Sequence, residues 1–271
     1  MATRTPGCES SGRFHSAAAH YLAGRPPYAP LLIRRVAALT GLKRQHAVLD
    51  LGCGPGMLAR AFAPMAREVV AMDPEPEMLA AATEYCRDFG NVRLVPGGSN
   101  DLTPSLGQFR LVVMGRSFHW MDRAETLRRL DALIEPGGTV VHFHTDHPEV
   151  SDNAWTERFR ALRRRYAGEA PDRPQAPGDR WLRHEAFLLA SAFCCLESHA
   201  VFERRNFPAA HLVDRAFSMS ATAPARLGAR AAALERDIAA LIREIAPGGS
   251  LTEVITSSAL VARRPGEEAT S

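Results

Sequence analysis

Two stretches of this 271-residue chain carry side chains whose types and spacing could do chemistry. In VLDLGCGPG, residues 48–56, an apolar run enters glycines at positions 52, 54 and 56, and a helical pattern starts directly after them. Main chain without Cβ atoms lets a ligand lie against it, and a helix start offers unpaired N–H groups. Asp73 stands 21 positions after Gly52, at the end of the next apolar run, where a carboxylate can accept both hydroxyls of a ribose. The second stretch, HFHTDH at 142–147, spaces His142, His144, Asp146 and His147 as H-x-H-x-D-H. Those types can ligate a metal or move protons.

The glycine turn points to a nucleoside, and its details favour one kind. A dinucleotide site normally reads G-x-G-x-x-G, whereas this chain has G-x-G-x-G with Asp50 two places before the first glycine. A carboxylate there would repel a pyrophosphate but suits a ligand carrying an ammonium or sulfonium. The residues thus favour S-adenosylmethionine over NAD.

The elements that must position these groups can be read from periodicity. Val- and Leu-rich runs at 46–52, 67–73, 91–95, 109–115 and 137–145 alternate with helical patterns, which predicts parallel βαβ units in a doubly wound α/β core. A charged amphipathic helix from Trp155, a Pro-rich loop at 171–179 and a helix at 181–193 break that rhythm. The chain then predicts a strand at 196–207, one long Ala/Arg-rich helix over 223–246, and a closing strand. The expected organisation is one domain: N-terminal lid helices at 14–41, a core at 42–148 and 196–264, and a helical cap inserted at 149–195. The first dozen residues read as loose.

Taken together, VLDLGCGPG, VVAMDPEPEML, FRLVVMGRSFHW, IEPGG, the early AHYLAGRPPY and the closing TSSALVARRP resemble the class I S-adenosylmethionine-dependent methyltransferases, in particular the small-molecule group with a type 11-like core. The resemblance implies a Rossmann-like, seven-stranded, mostly parallel sheet whose last strand is antiparallel. It also implies the cofactor contacts. Asp50, Gly52 and Gly54 would surround the methionine part, Asp73 and Pro74 the ribose, and Met78 the adenine, with Ser99 and Asn100 near its amino group. Tyr21 and Arg25 on the lid would reach the cofactor's carboxylate or close over it, and Arg116 would be either a further contact or a surface charge. One departure stands out: Gly98 occupies a position where the family commonly has an acidic or small residue, so adenine N6 must find another acceptor.

In such a fold HFHTDH ends the fifth strand, beside the crevice where a substrate meets the cofactor. The six letters resemble a metallo-β-lactamase motif, but a nucleoside-binding core precedes them here, and no metal is expected. His144 and His119 are the candidate bases, since an oxygen or nitrogen nucleophile must lose a proton and histidine titrates near neutrality. The Asn/Asp-Pro-Pro-aromatic signature of base methylation is missing after the fourth strand. The net charge of +3 is small and the cations are scattered, so neither nucleic acid nor membrane is an expected partner. Lys43 is the only lysine, which restricts Schiff-base chemistry to that position. Five unpatterned cysteines and no apolar leader point to a reducing cytoplasm. The expected activity is methylation of a small organic acceptor, in specialised metabolism, by a monomer or homodimer. The alternatives are an NAD(P)-dependent oxidoreductase and a non-catalytic protein that binds S-adenosylmethionine.

Overall fold

The computed structural model describes residues 16–168 and 183–266. Within them, Ala47–Leu51 (β1), Glu68–Asp73 (β2), Val92–Pro96 (β3), Phe109–Gly115 (β4) and Ile134–Asp146 (β5) pair in parallel in the order β3-β2-β1-β4-β5. Every residue of β1 is buried, because helices cover both faces of a parallel sheet. Ser250–Arg263 (β7) inserts between β5 and Cys195–Pro208 (β6) and runs antiparallel to both. The result is a Rossmann-like sheet of seven strands with one reversed, as expected.

The helices are Ala18–Gly24 (α1), Pro30–Leu39 (α2), Met57–Phe62 (α3), Pro76–Tyr85 (α4), Arg123–Asp131 (α5), Trp155–Ala167 (α6), His184–Leu189 (α7), His211–Phe217 (α8), Pro224–Leu227 (α9) and Ala231–Ile245 (α10). Strand alternation sends Val48, Val69 and Val113 to one face, where Leu32, Val36 and Phe62 of α2 and α3 meet them. Leu49, Val70 and Val112 go to the other face, against Leu127 and Leu130 of α5 and Leu188 of α7. A third apolar cluster joins Trp155 and Phe159 of α6, Leu212 and Phe217 of α8, and Leu234 and Ile238 of α10. Its footing is a ribbon: β6 and β7 pair from Cys195 to Pro208, well past Asp146, where β5 stops pairing with β7.

Several boundaries differ from expectation. The long helix over 223–246 is interrupted at Gly228, whose φ of +56° breaks the run into α9, a 3-10 turn and α10. Helix α8 was not anticipated. Strand β5 starts at Ile134, so the EPGG segment lies inside it, with a register irregularity opposite Phe109 and Leu111. Helix α1 begins at Ala18; positions 14 and 15, Trp181 and the Pro-rich loop lie outside the described residues. Segment 149–195 divides between two clusters, α6 with α8 and α10, and α7 beside α5 on the sheet.

Candidate active site

The glycine turn is pinned by main chain. Gly52 and Cys53 N–H groups both donate to the Met72 carbonyl, at 2.8 and 3.0 Å, tying the end of β1 to β2. Gly52 has a φ of +70°, and a Cβ there would sit 2.5 Å from Ser117 Cβ, so the end of β4 demands glycine. Gly54, φ +54°, has open space beside it, with only Met78 Sδ at 3.9 Å from an added Cβ. It therefore offers bare main chain to whatever lies there. The third glycine serves packing: Cys86 Sγ would be 2.9 Å from a Cβ on Gly56.

Asp73 braces this turn. Its Oδ2 accepts the Gly54 N–H at 2.8 Å and its Oδ1 the Glu75 N–H at 2.9 Å, while burial pushes its pKa up. Asp50 behaves differently from expectation. Its buried carboxylate accepts the Ala59 N–H at 2.8 Å in the first turn of α3, and it is not on the wall of the cavity above. Loss of hydration raises its pKa to about 7.

Above the turn lies a cavity of about 170 Å³ at the carboxyl ends of β1, β2 and β4. Gly52, Gly54, Asp73, Pro74 and Met78 line one side of it, and Ser99 and Asn100 another; Tyr21 and Arg116 close it. The sequence reading missed Glu75 and Asp101, which also line it. Both are acidic residues just past a strand end, a position that could have signalled them. Arg116 is the one cation among the described lining residues, against three carboxylates. A non-glycine residue at φ +60°, Arg116 is held there by its N–H bond to the Phe143 carbonyl at 3.2 Å.

A second cavity, about 1170 Å³, adjoins the first, and Tyr21, Arg116 and Trp120 line both. Its floor is sheet: His142 and His144 of β5 beside Leu260 and Ser258 of β7. Trp155 and Phe159 of α6 face it, and His119 and His184 stand at its side. The rings of His142 and His184 are 4.3 Å apart, and His119 lies 6.4 Å from His184. His142 is the deepest, its Nε2 buried without a hydrogen-bond partner. Burial, then the neighbouring His184, His144 and His119, hold its pKa well below the usual imidazole range. His144, by contrast, is exposed on the cavity floor.

The H-x-H-x-D-H residues do not converge. Asp146 lies 3.6 Å from Arg160, and His147 turns to the fully buried Glu253, 2.7 Å away. Among the described residues no group of three or more His, Cys, Asp or Glu is arranged to hold a metal. Glu253 also accepts two bonds from Arg215, at 2.8 and 3.2 Å, and one from Arg205 at 2.9 Å. Burial alone would raise the Glu253 pKa, but hydrogen bonds from His147 and Arg215 hold it at about 2. Arg215 Nε donates to the Gly24 carbonyl at 3.1 Å, so this network anchors the end of α1. Gly24 is in close contact with α8, where a Cβ would fall 2.4 Å from the Asp214 carbonyl oxygen.

Helix α1 thereby presents Tyr21 and Arg25. Arg25 lies on the wall of the larger cavity and not of the smaller one, apart from the cofactor-side residues expected to accompany it. Its guanidinium donates to the Ser218 carbonyl at 3.0 Å and sits 5.3 Å from the Tyr21 ring centre.

A family model described as "Methyltransferase domain" matches residues 48–138. An uncharacterized methyltransferase of Mycobacterium tuberculosis is 31% identical over 131 residues, 47% of this chain and 49% of that protein. A ubiquinone biosynthesis O-methyltransferase of Methylococcus capsulatus is 33% identical over 114 residues, 41% of this chain and 48% of that protein. The chain thus spans about half the length of the curated relatives it matches. The crystal structure of a putative type II methyltransferase from Anaeromyxobacter dehalogenans superposes with a TM-score of 0.58 at 17% identity, covering 89% of this chain and 97% of that one. That likeness carries the fold across both halves of the sheet, while the matched sequence carries the glycine turn and the strand after it. The matched sequence shows a methyltransferase domain over residues 48–138, and the solved structure shows the same fold.

Proposed function

We propose that the chain transfers the methyl group of S-adenosylmethionine to a small organic acceptor by in-line displacement, leaving S-adenosylhomocysteine. The observation that carries this reading is the meeting of two cavities at Tyr21, Arg116 and Trp120, one shaped by the glycine turn and the other floored by sheet. The donor set fits the cofactor. Asp73, Glu75 and Asp101 suit a ligand with cationic groups, Gly54 leaves room for close approach, and Met78 offers an apolar face.

When bound, the cofactor supplies a methyl group on an already cationic sulfur. The chain's own residues would hold and orient it: Asp73 would accept ribose hydroxyls, the Gly52–Gly54 main chain would receive the methionine part, Ser99 and Asn100 would serve the adenine, and Arg116 stands at the junction of the two cavities. Fixing nucleophile and leaving group in line supplies several kcal/mol by removing orientational freedom. His119 and His144 are the groups proposed to take a proton from an oxygen or nitrogen acceptor. Trp155 and Phe159 suit a partly apolar acceptor.

The small-molecule, type 11-like grouping and a role in specialised metabolism rest on motif resemblance. A small acceptor, with neither nucleic acid nor membrane as partner, suits a pit between sheet and helices, and no described helix is long and apolar enough to cross a membrane. A cytoplasmic monomer or homodimer completes the reading. An NAD(P) pyrophosphate would face three carboxylates in the smaller cavity, which disfavours the oxidoreductase alternative.

Calorimetry of the purified chain with S-adenosylmethionine and S-adenosylhomocysteine tests the donor. A product-mass screen of acceptors with labelled donor tests the reaction, an acceptor heavier by one methylene being the expected result. Uptake of neither nucleoside overturns the proposal. Uptake without any methylated product favours the non-catalytic binding protein.

A further inference from the structure

Six arginines line the larger cavity: Arg25, Arg116, Arg160, Arg163, Arg183 and Arg215, of which Arg163 donates to the Met219 sulfur. Arg215 is neutralised by Glu253 and Arg160 lies by Asp146. Arg25 and Arg116 differ from these. Among the described residues neither has a carboxylate partner: their acceptors are the carbonyls of Ser218 and Pro26 and the sulfur of Met57, and both lie against the Tyr21 ring, at 5.3 and 5.6 Å. The Nε atoms of both are buried without a hydrogen-bond partner. Two part-buried cations side by side favour the arrival of an anion to pair with them. Burial lowers the pKa of Arg25, Tyr21 raises it and the charge of Arg116 lowers it, for a net fall, whereas for Arg116 burial is outweighed by Tyr28 and Tyr21, which carry its pKa upward.

The cofactor brings one carboxylate, on its methionine end, and Arg116 lines the cavity proposed to hold it. Of the arginines in the larger cavity, Arg25 is the one that shares the Tyr21 ring with Arg116, and it does not line the smaller cavity. We infer that Arg25 anchors an anionic group of the acceptor, so that the acceptor is an organic acid bearing a carboxylate on a partly apolar body. The planar fork of a guanidinium matches a carboxylate with two parallel hydrogen bonds. The apolar body has its counterpart in Trp155 and Phe159, which line the same cavity. The inference rests on the methyl-transfer reading, because it assigns the second cation only after the cofactor has taken the first.

The test uses the chain saturated with S-adenosylhomocysteine and a matched pair of probes, 1-naphthoate and 1-naphthamide, each titrated by calorimetry. The acid is expected to bind about ten- to a hundredfold more tightly than the amide, the span of a charge-assisted hydrogen bond. Arg25→Gln is expected to erase that preference while leaving S-adenosylhomocysteine affinity within about twofold, well under one hydrogen bond. Arg25→Lys, which keeps the charge without the fork, is expected to retain part of the preference and guards against a variant that does not fold. Acid and amide binding alike, acid preference surviving in Arg25→Gln, or loss of S-adenosylhomocysteine binding in that variant each overturn the inference, the last by returning Arg25 to the cofactor. Failure of the wild-type chain to bind S-adenosylhomocysteine is a separate result that removes the methyl-transfer reading beneath it.

Discussion

Replacing Glu253 with Gln keeps the shape of the buried side chain and removes its charge, leaving Arg215 and Arg205 facing a neutral amide. The Glu253 carboxyl titrates at about 2 in the folded chain against an ordinary 4.5, a difference of about 3 kcal/mol. Because the folded pKa is depressed, this stabilisation is fully present above about pH 4.5 and is lost as pH falls toward about 2. Breaking a buried ion pair from one side costs about 3–5 kcal/mol in comparable cases, which agrees in size. Urea unfolding at neutral pH should therefore give Glu253→Gln a midpoint lower by roughly 1 M, for a slope near 3 kcal/mol per M. Repeating the titrations down the acid range should shrink the gap between wild type and variant toward zero. A neutral-pH gap under about 1 kcal/mol, the size of an ordinary surface effect, would refute the reasoning. So would a larger gap that stays constant into acid, since it would come from packing and not from charge.

Asp73→Asn should weaken S-adenosylhomocysteine binding by about ten- to a hundredfold, the worth of hydrogen bonds to a charged group, as read by calorimetry; unchanged affinity would reduce Asp73 to a brace for the turn. The two glycines should separate stability from binding. Gly52→Ala meets Ser117 at 2.5 Å and should lose about 2–5 kcal/mol in thermal or urea unfolding, from left-handed strain plus overpacking. Gly54→Ala has space and should lose only about 1–2 kcal/mol while abolishing the cofactor-induced shift in melting temperature. His119→Ala and His144→Ala should leave cofactor affinity intact, and whichever residue is the base should lower turnover by about 10²- to 10⁴-fold. Unchanged turnover in both would mean positioning alone, as for an acceptor already deprotonated.

The turn that shapes the smaller cavity was readable because its signals are local. Val and Leu runs ending in glycine specify β1 and its turn, and Asp73 needs only its distance along the chain to be placed at a strand end. The larger cavity and its surroundings are built from contacts distant in sequence. Glu253 meets residues 38, 48 and 106 positions away, so no spacing could reveal its network. Strand alternation put His142 and His144 on one face, but their depth depends on the neighbouring chain. His184, at the start of α7, stacks beside His142, while His144 stays exposed. Alanine and arginine favour helix throughout 223–246, and the break at Gly228 follows from a backbone conformation that composition does not encode. The place of Arg25 in the lid predicts that it reaches the cofactor's carboxylate or closes over it; the docking of α1 on α8 through Gly24 sets it on the wall of the larger cavity.

The two-stranded extension of β6 and β7 past the end of β5 separates inheritance as well as space. Helices α8, α9 and α10 hang from this arm, so drift in residues 209–249 can remodel what sits above the sheet while the glycine bend keeps its grip unchanged. Variation there reaches the larger cavity through Arg215, Met219 and Ser220 and leaves the turn after β1 untouched.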